Sequence, residues 1–216
     1  MAITVSLLLS ITSTQLNSLQ QKNIEIDMKK NILKSIGVDI SVMSSDKIID
    51  LYSTIIDEVV IDMIGNIVDV PISSLISTEN KSNGQIQYKF ENKRYLPGYL
   101  SNDSSAFIIP ISGKGLWSTL YGYFALSSED YNTVKGITFY KHGETPGLGA
   151  EVDKDWFQNQ FNENNGKKIF NKNNELVSIS VVKGPIKDPI HEVDGISGAT
   201  ITSNGVSDFL LRDLMN

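Results

Sequence analysis

The spacing of apolar positions along this chain changes several times, and each change marks an element. From Leu16 onward apolar residues fall at Leu19, Ile26, Ile32, Leu33 and Ile36, a helical period that ends at Gly37, a residue suited to a helix C-cap. Asp46 to Asp57 predicts a second helix with Ile48, Ile49, Tyr52, Ile55 and Ile56 on one face. The period then shortens to two: Val59, Ile61 and Met63 alternate with polar neighbours, as do Ile86, Tyr88 and Phe90. Ala106 to Ile111, Leu120 to Leu126 and Gly136 to Tyr140 read as further strands. Asp153 to Phe161 predicts a helix with Trp156, Phe157 and Gln160 on its surface, and Leu176 to Val182 another strand. Asn159 to Asn174 is rich in Asn and Lys and reads as a solvated loop. A closing helix follows, capped by Ser203 or Asn204, with Val206, Phe209, Leu210 and Leu214 as its apolar stripe. Strands with short connections and irregularly placed helices predict an α+β fold, a largely antiparallel sheet with flanking helices.

The start of the chain breaks this pattern. Residues 1–21 carry no charged side chain, but the strongly apolar part runs only from Ala2 to Ile11 before Thr12-Ser13-Thr14-Gln15. A spanning helix needs about 20 mostly apolar residues, and a signal peptide wants a basic segment ahead of its apolar core. The segment therefore reads as the outer half of a membrane helix, as a marginal span or as a buried stretch. The expectation adopted is the first: a partial transmembrane helix over residues 1–16, leading into a domain over 17–216 whose first element is a connecting helix.

Composition narrows the chemistry. The chain has 216 residues, 40% hydrophobic and 20% charged, which suits one domain with a sizeable core. Its formal net charge of -6 and lack of a basic stripe argue against nucleic acid as a partner, and ordinary solubility accounts for the charge. The absence of cysteine excludes disulfides, thiolate zinc sites, iron–sulfur clusters and thiol nucleophiles. With only His142 and His191, a histidine-built metal site is not expected either. Any redox role must rest on an organic cofactor.

Three glycine-rich segments stand out: Ile111 to Trp117 (ISGKGLW), His142 to Glu151 (HGETPGLGAE) and Asp194 to Gly205 (DGISGATITSNG). Glycine lets backbone amides turn toward a ligand at close range, and amides at a helix N-terminus bind phosphate. The third segment has that arrangement, but Ser, Thr and Asn are equally the residues of a turn with a helix cap. Composition alone favours the cap. In the second segment, Thr145-Pro146-Gly147 suits a tight turn. Glu144 and the apolar Leu148 between two glycines have no such structural account. A loop exposing Leu148 makes sense if it packs on something flat. Trp117 reads as core or interface, and the histidines as surface residues.

Taken together, the three segments resemble a known family. DGISGAT is similar to the flavinylation motif of FMN-binding domains in respiratory complexes, and ETPGLG to their companion motif. With SGKGLW and SGATITSNGV, and with QQKNIEIDMKKNILKSIGV early on, the chain resembles the C subunits of sodium-translocating NADH:quinone reductases. The resemblance implies an electron-transfer protein that holds FMN, joined to Thr200 by a phosphoester, in a complex that oxidises NADH, reduces ubiquinone and moves sodium. By the same resemblance Ser197, Gly198, Ala199 and Thr202 line the phosphate and ribityl end, and Glu144, Thr145 and Leu148 approach from the other loop. Asp194 belongs to the signal read by a flavin transferase. The B subunit and the membrane redox subunits are the implied partners. The implied location is the inner membrane, single-pass, with the FMN domain on its outer side. No catalytic acid–base group and no metal is implied. The alternatives are the G subunit of the related ferredoxin:NAD complex, which shares both motifs, and a binding module that has lost its cofactor.

Overall fold

A computed structural model describes residues 20–103 and 105–215. The first helix, α1, is described from residue 20 to 35 and ends at Gly37, whose φ of +83° is the left-handed conformation expected past a helix C-terminus. Helix α2 (Ser45–Ile55) is capped by the Ser44 hydroxyl, which accepts from the Lys47 amide. It stops two residues short of its predicted end because Ile56 already pairs with Ser101 in the sheet.

Strands β1 (Ile56–Asp62), β2 (Ile67–Val68), β3 (Ile76–Glu79), β4 (Ile86–Phe90), β5 (Lys93–Ser101), β6 (Ala106–Lys114), β7 (Thr119–Ser127) and β8 (Val134–Lys141) form one eight-stranded sheet. Its spine runs β2-β1-β5-β6-β7-β8, with the β3-β4 hairpin joined to the early part of β5. Every pairing in it is antiparallel. After β8 come a 3-10 turn (Gly149–Asp153), the short helix α3 (Asp155–Gln158) and two more 3-10 turns. Strands β9 (Ser180–Val182) and β10 (Glu192–Asp194) pair in parallel as a separate ribbon, and α4 (Thr200–Leu214) closes the fold.

The central strand β7 is buried on both faces, which divides the interior into two cores. Tyr123 and Ala125 join Tyr99, Ala106 and Ile108 beneath α1 and α2. Leu120, Phe124 and Leu126 face the other way, onto Phe157, Phe161, Val193, Ile196, Ala199 and the Val206, Phe209 and Leu210 stripe of α4. A strand buried on both faces shows no polar alternation, as its aromatic-rich sequence reads.

Several expectations are corrected. The fold is α+β, a curved antiparallel sheet with flanking helices, but no membrane helix precedes or joins it among the described residues, none of whose helices is long and apolar enough to cross a membrane. The partial span over residues 1–16 lies outside the described residues, and its apolar stretch, Ala2 to Ile11, is about half of what a crossing requires. The expected transmembrane helix and single-pass inner-membrane placement thus find no support among the described residues. In β1 the buried residues are Ile56 and Val60, so the inward face is opposite to the one predicted, and Met63 is exposed. The helix predicted over Asp153 to Phe161 is broken into short turns that bring both Phe157 and Phe161 wholly inside.

Helix α4 lies so close to the end of β6 that a Cβ on Gly205 would stand 2.1 Å from the Lys114 carbonyl oxygen. Helix propensity alone would make Gly205→Ala stabilising by about 1 kcal/mol. A backbone atom cannot yield as a side chain can, so the clash decides the sign. Gly205→Ala is expected to destabilise the fold by about 1–3 kcal/mol, read as a lowered melting temperature; an unchanged or raised one would refute this packing.

Candidate functional site

The three glycine-rich segments converge at one end of the sheet, and the Glu144 carboxylate joins them. Its Oε1 accepts from the backbone amides of Trp117 (2.9 Å) and Ser118 (3.0 Å) and from the Ser118 hydroxyl (3.3 Å). Its Oε2 accepts from the Leu116 amide (3.1 Å) and from the Thr202 hydroxyl in the first turn of α4 (2.7 Å). Glu144 is buried. Burial alone would push its carboxyl up, but the Thr202 hydroxyl and the Trp117, Ser118 and Leu116 amides outweigh that and hold it below its usual range.

Small residues make this junction possible. A Cβ on Gly149 would come within 2.6 Å of Glu144 Oε2 and 2.7 Å of the Thr202 hydroxyl. One on Gly115 would meet Glu144 Oε1 at 2.7 Å. The base of the second segment is tied as well: His142 Nε2 lies 3.2 Å from an Asp153 carboxylate oxygen, and its Nδ1 accepts from the Glu144 amide at 3.3 Å. His142 is thus a largely enclosed structural residue, not the surface residue its sequence context suggests.

The third segment shows a simple division. Val193, Ile196 and Ala199, three residues apart, are buried in the core, and Asp194, Ser197, Gly198 and Thr200 face outward. Gly198 has φ +74°, and a Cβ there would meet Leu148 Cδ2 at 2.8 Å, so the second and third segments touch at this point. Leu148 remains 41% exposed. Thr145 is exposed on the same loop, whereas Thr202 is buried and committed to Glu144.

The cap reading of this segment does not survive. Helix α4 begins at Thr200, the residue before it is Ala199, and no side chain caps the helix. Ser203 sits inside the first turn, and its hydroxyl accepts from the Ile196 amide (3.2 Å). Asn204 is exposed in the helix body. A 15-residue helix therefore starts with an exposed threonine, and its first amides lack intrahelical partners. That is what a phosphate tether needs: an accessible hydroxyl, amide donors beside it and a glycine where a Cβ would block approach. The residues present fit an FMN joined through its phosphate.

Trp117, read from sequence as core or interface, is 71% exposed and so is not core; its amide donates to Glu144. Other contacts escaped the sequence reading. Ser118 both donates to Glu144 and accepts from the Gly143 amide at 2.6 Å. The Gln160 side chain clasps Asp194 from both sides, accepting from its amide (2.7 Å) and donating to its carbonyl (3.2 Å). Gln160 looked like an unremarkable helix-surface residue, and only the tertiary fold pairs it with Asp194. Among the described residues no cluster of three or more His, Asp or Glu side chains is arranged to hold a metal ion.

The chain is similar to known proteins over nearly its whole length. Residues 115–212, which contain part of the first segment and all of the other two, match the FMN-binding domain family. The C subunit of the Na(+)-translocating NADH-quinone reductase of Vibrio vulnificus is 34% identical over 99% of this chain and 88% of that protein. Its counterpart in Haemophilus ducreyi is 33% identical over 96% and 83%. Among solved structures, the C subunit of the same reductase from Parabacteroides distasonis superposes with a TM-score of 0.75 at 35% identity, covering 92% of this chain and 93% of that one. NqrC of Shewanella oneidensis gives a TM-score of 0.68 at 25% identity, covering 89% and 91%.

The Glu144 junction has a pH signature. A carboxyl held below its ordinary value near 4.5 stabilises the fold fully above that value, and the contribution is lost as pH falls through the folded-state value. Glu144→Gln keeps the shape but turns an amide group toward backbone donors, at a cost of about 2–3 kcal/mol near neutrality. The gap in melting temperature between wild type and Glu144→Gln should be widest at about pH 7 and narrow toward about pH 3. A gap that stays constant would show that the charge contributes nothing.

Proposed function

The chain belongs to the family of the C subunits of Na(+)-translocating NADH-quinone reductases, and on that premise we propose that Thr200 is where its FMN is attached. The protein is an electron-transfer subunit of such a complex, with FMN held covalently, and it acts as part of an oxidoreductase only together with the other subunits. Relatives named as C subunits span nearly the whole chain, which favours this reading over a G subunit or a module without cofactor.

When bound, the flavin supplies the electron-carrying group. The chain's own residues position it. In the transferase reaction the Thr200 hydroxyl would attack the flavin-side phosphorus of a flavin dinucleotide, breaking its pyrophosphate bond, with the nucleoside monophosphate leaving and the hydroxyl proton lost. The amides that open α4, with Ser197, Gly198 and Ala199, would hold the phosphate. Leu148 and Trp117 offer exposed apolar surface on loops that Glu144 holds in place, and these flank the ring. Glu144 and Thr202 act on the flavin through that framework, since each is already committed to the other. Thr145 stands on the outer side of the same loop. Electrons pass on to the B subunit, and a flavin transferase reads Asp194, whose backbone Gln160 fixes.

The observation that carries this reading is the exposed hydroxyl at the uncapped first residue of α4, beside Gly198. Co-expression of the full chain with a flavin transferase should yield a yellow band that fluoresces after denaturing electrophoresis. The band should vanish in Thr200→Val. Its absence from wild type, or its survival in Thr200→Val, would overturn the attachment. Asp194→Ala should lower incorporation while leaving the melting curve intact; equal incorporation would remove Asp194 from the recognition signal.

A further inference from the structure

Beside Thr200 lies a cleft of about 320 Å³ whose lining includes Lys183, Asp194, Ser197, Thr200 and Asn204. Lys183 is its only cation and Asp194 its only anion. The parallel ribbon places Val182 opposite Asp194, and the Gly195 amide donates to the Val182 carbonyl at 2.8 Å. Lys183 directly follows this last paired residue, which starts its side chain beside the motif. Its ammonium makes no salt bridge or hydrogen bond among the described residues.

The lining of this cleft carries one cation and one anion, so a bound phosphate would add a second negative charge. A flavin joined to Thr200 through its phosphate would carry one negative charge on the diester, in a cleft that Asp194 also lines. Like charges within one small cleft repel, and the helix amides would offset this only in part. We propose that Lys183 is the cation that holds the flavin's phosphodiester in this cleft, a positioning residue that sets where the tether leaves α4. The assignment rests on Thr200 being the attachment point.

The test uses the full chain with a flavin transferase at limiting amount. Lys183→Ala should slow flavin incorporation about threefold and Lys183→Glu about tenfold, with Lys183→Arg near wild type. Raising the salt concentration should shrink these differences. The phosphorus NMR resonance of the finished flavoprotein gives a reading that a merely structural role would not move: it should shift in Lys183→Gln and return in Lys183→Arg. Melting curves establish that each variant is folded, and Lys183→Gln carries the test if Lys183→Glu is not. Labelling and phosphorus resonance both equal to wild type would overturn the proposal. Slowed labelling with an unmoved resonance would also overturn it, by assigning Lys183 to contact with the transferase. A wild type that takes no flavin, or one whose flavin survives Thr200→Val, overturns the attachment reading and this inference together. Normal labelling at Thr200 that is indifferent to Lys183 leaves the attachment standing and removes only the inference.

Discussion

One buried carboxylate fixes the working end of this protein. Glu144 takes five donors on two oxygens, and those donors come from a loop and a helix that no sheet ladder connects. An ionised carboxylate inside a protein is costly unless its hydrogen-bonding capacity is met. Here it is met by groups that would themselves be unsatisfied without it. Each side of the junction thus depends on the other, and loops that would otherwise wander are locked together. The exposed Trp117 and Leu148 sit on loops that this bond set ties together.

The sheet supplies the platform. Strand β7 separates two cores, and the one beneath α4 reaches into the third glycine-rich segment through Ile196 and Ala199. Close backbone approach does the rest, with Gly113 against Phe209 and Gly205 against the Lys114 carbonyl. Several glycines of these segments, Gly113, Gly115, Gly149 and Gly205 among them, are contact points where nothing larger fits. The glycine content of this end marks tightness.

Much of this was legible in the sequence. The 3.6-residue spacing marked α1, α2 and α4, the alternating and apolar runs marked β4 and β6 to β8, and three glycine-rich segments marked the site. What could not be read was whatever depends on pairing between distant residues. Strand β5 went unseen because Pro97 and Gly98 interrupt its pattern, although it pairs along its length with β1. Only three residues of the strand predicted over Leu176 to Val182 are one, because Ser178 takes a positive φ just ahead of them. Ser203 looked like a cap because hydroxyl residues usually are; Ile196 claims it instead. Glu144 stood out as unexplained, and its explanation lay in amides about 27 residues away, whose direction no periodicity reveals.

The Glu144 junction has a consequence for the order of events in the protein's maturation. All of its donors and its acceptor belong to the polypeptide, so the junction closes whether or not a flavin has arrived. Under the proposed attachment, the acceptor hydroxyl of Thr200 is offered by a finished surface, and a flavin transferase would meet a native substrate rather than a nascent chain. Folding would come first and chemistry second, and a chain that had missed its flavin would still be a candidate for receiving one.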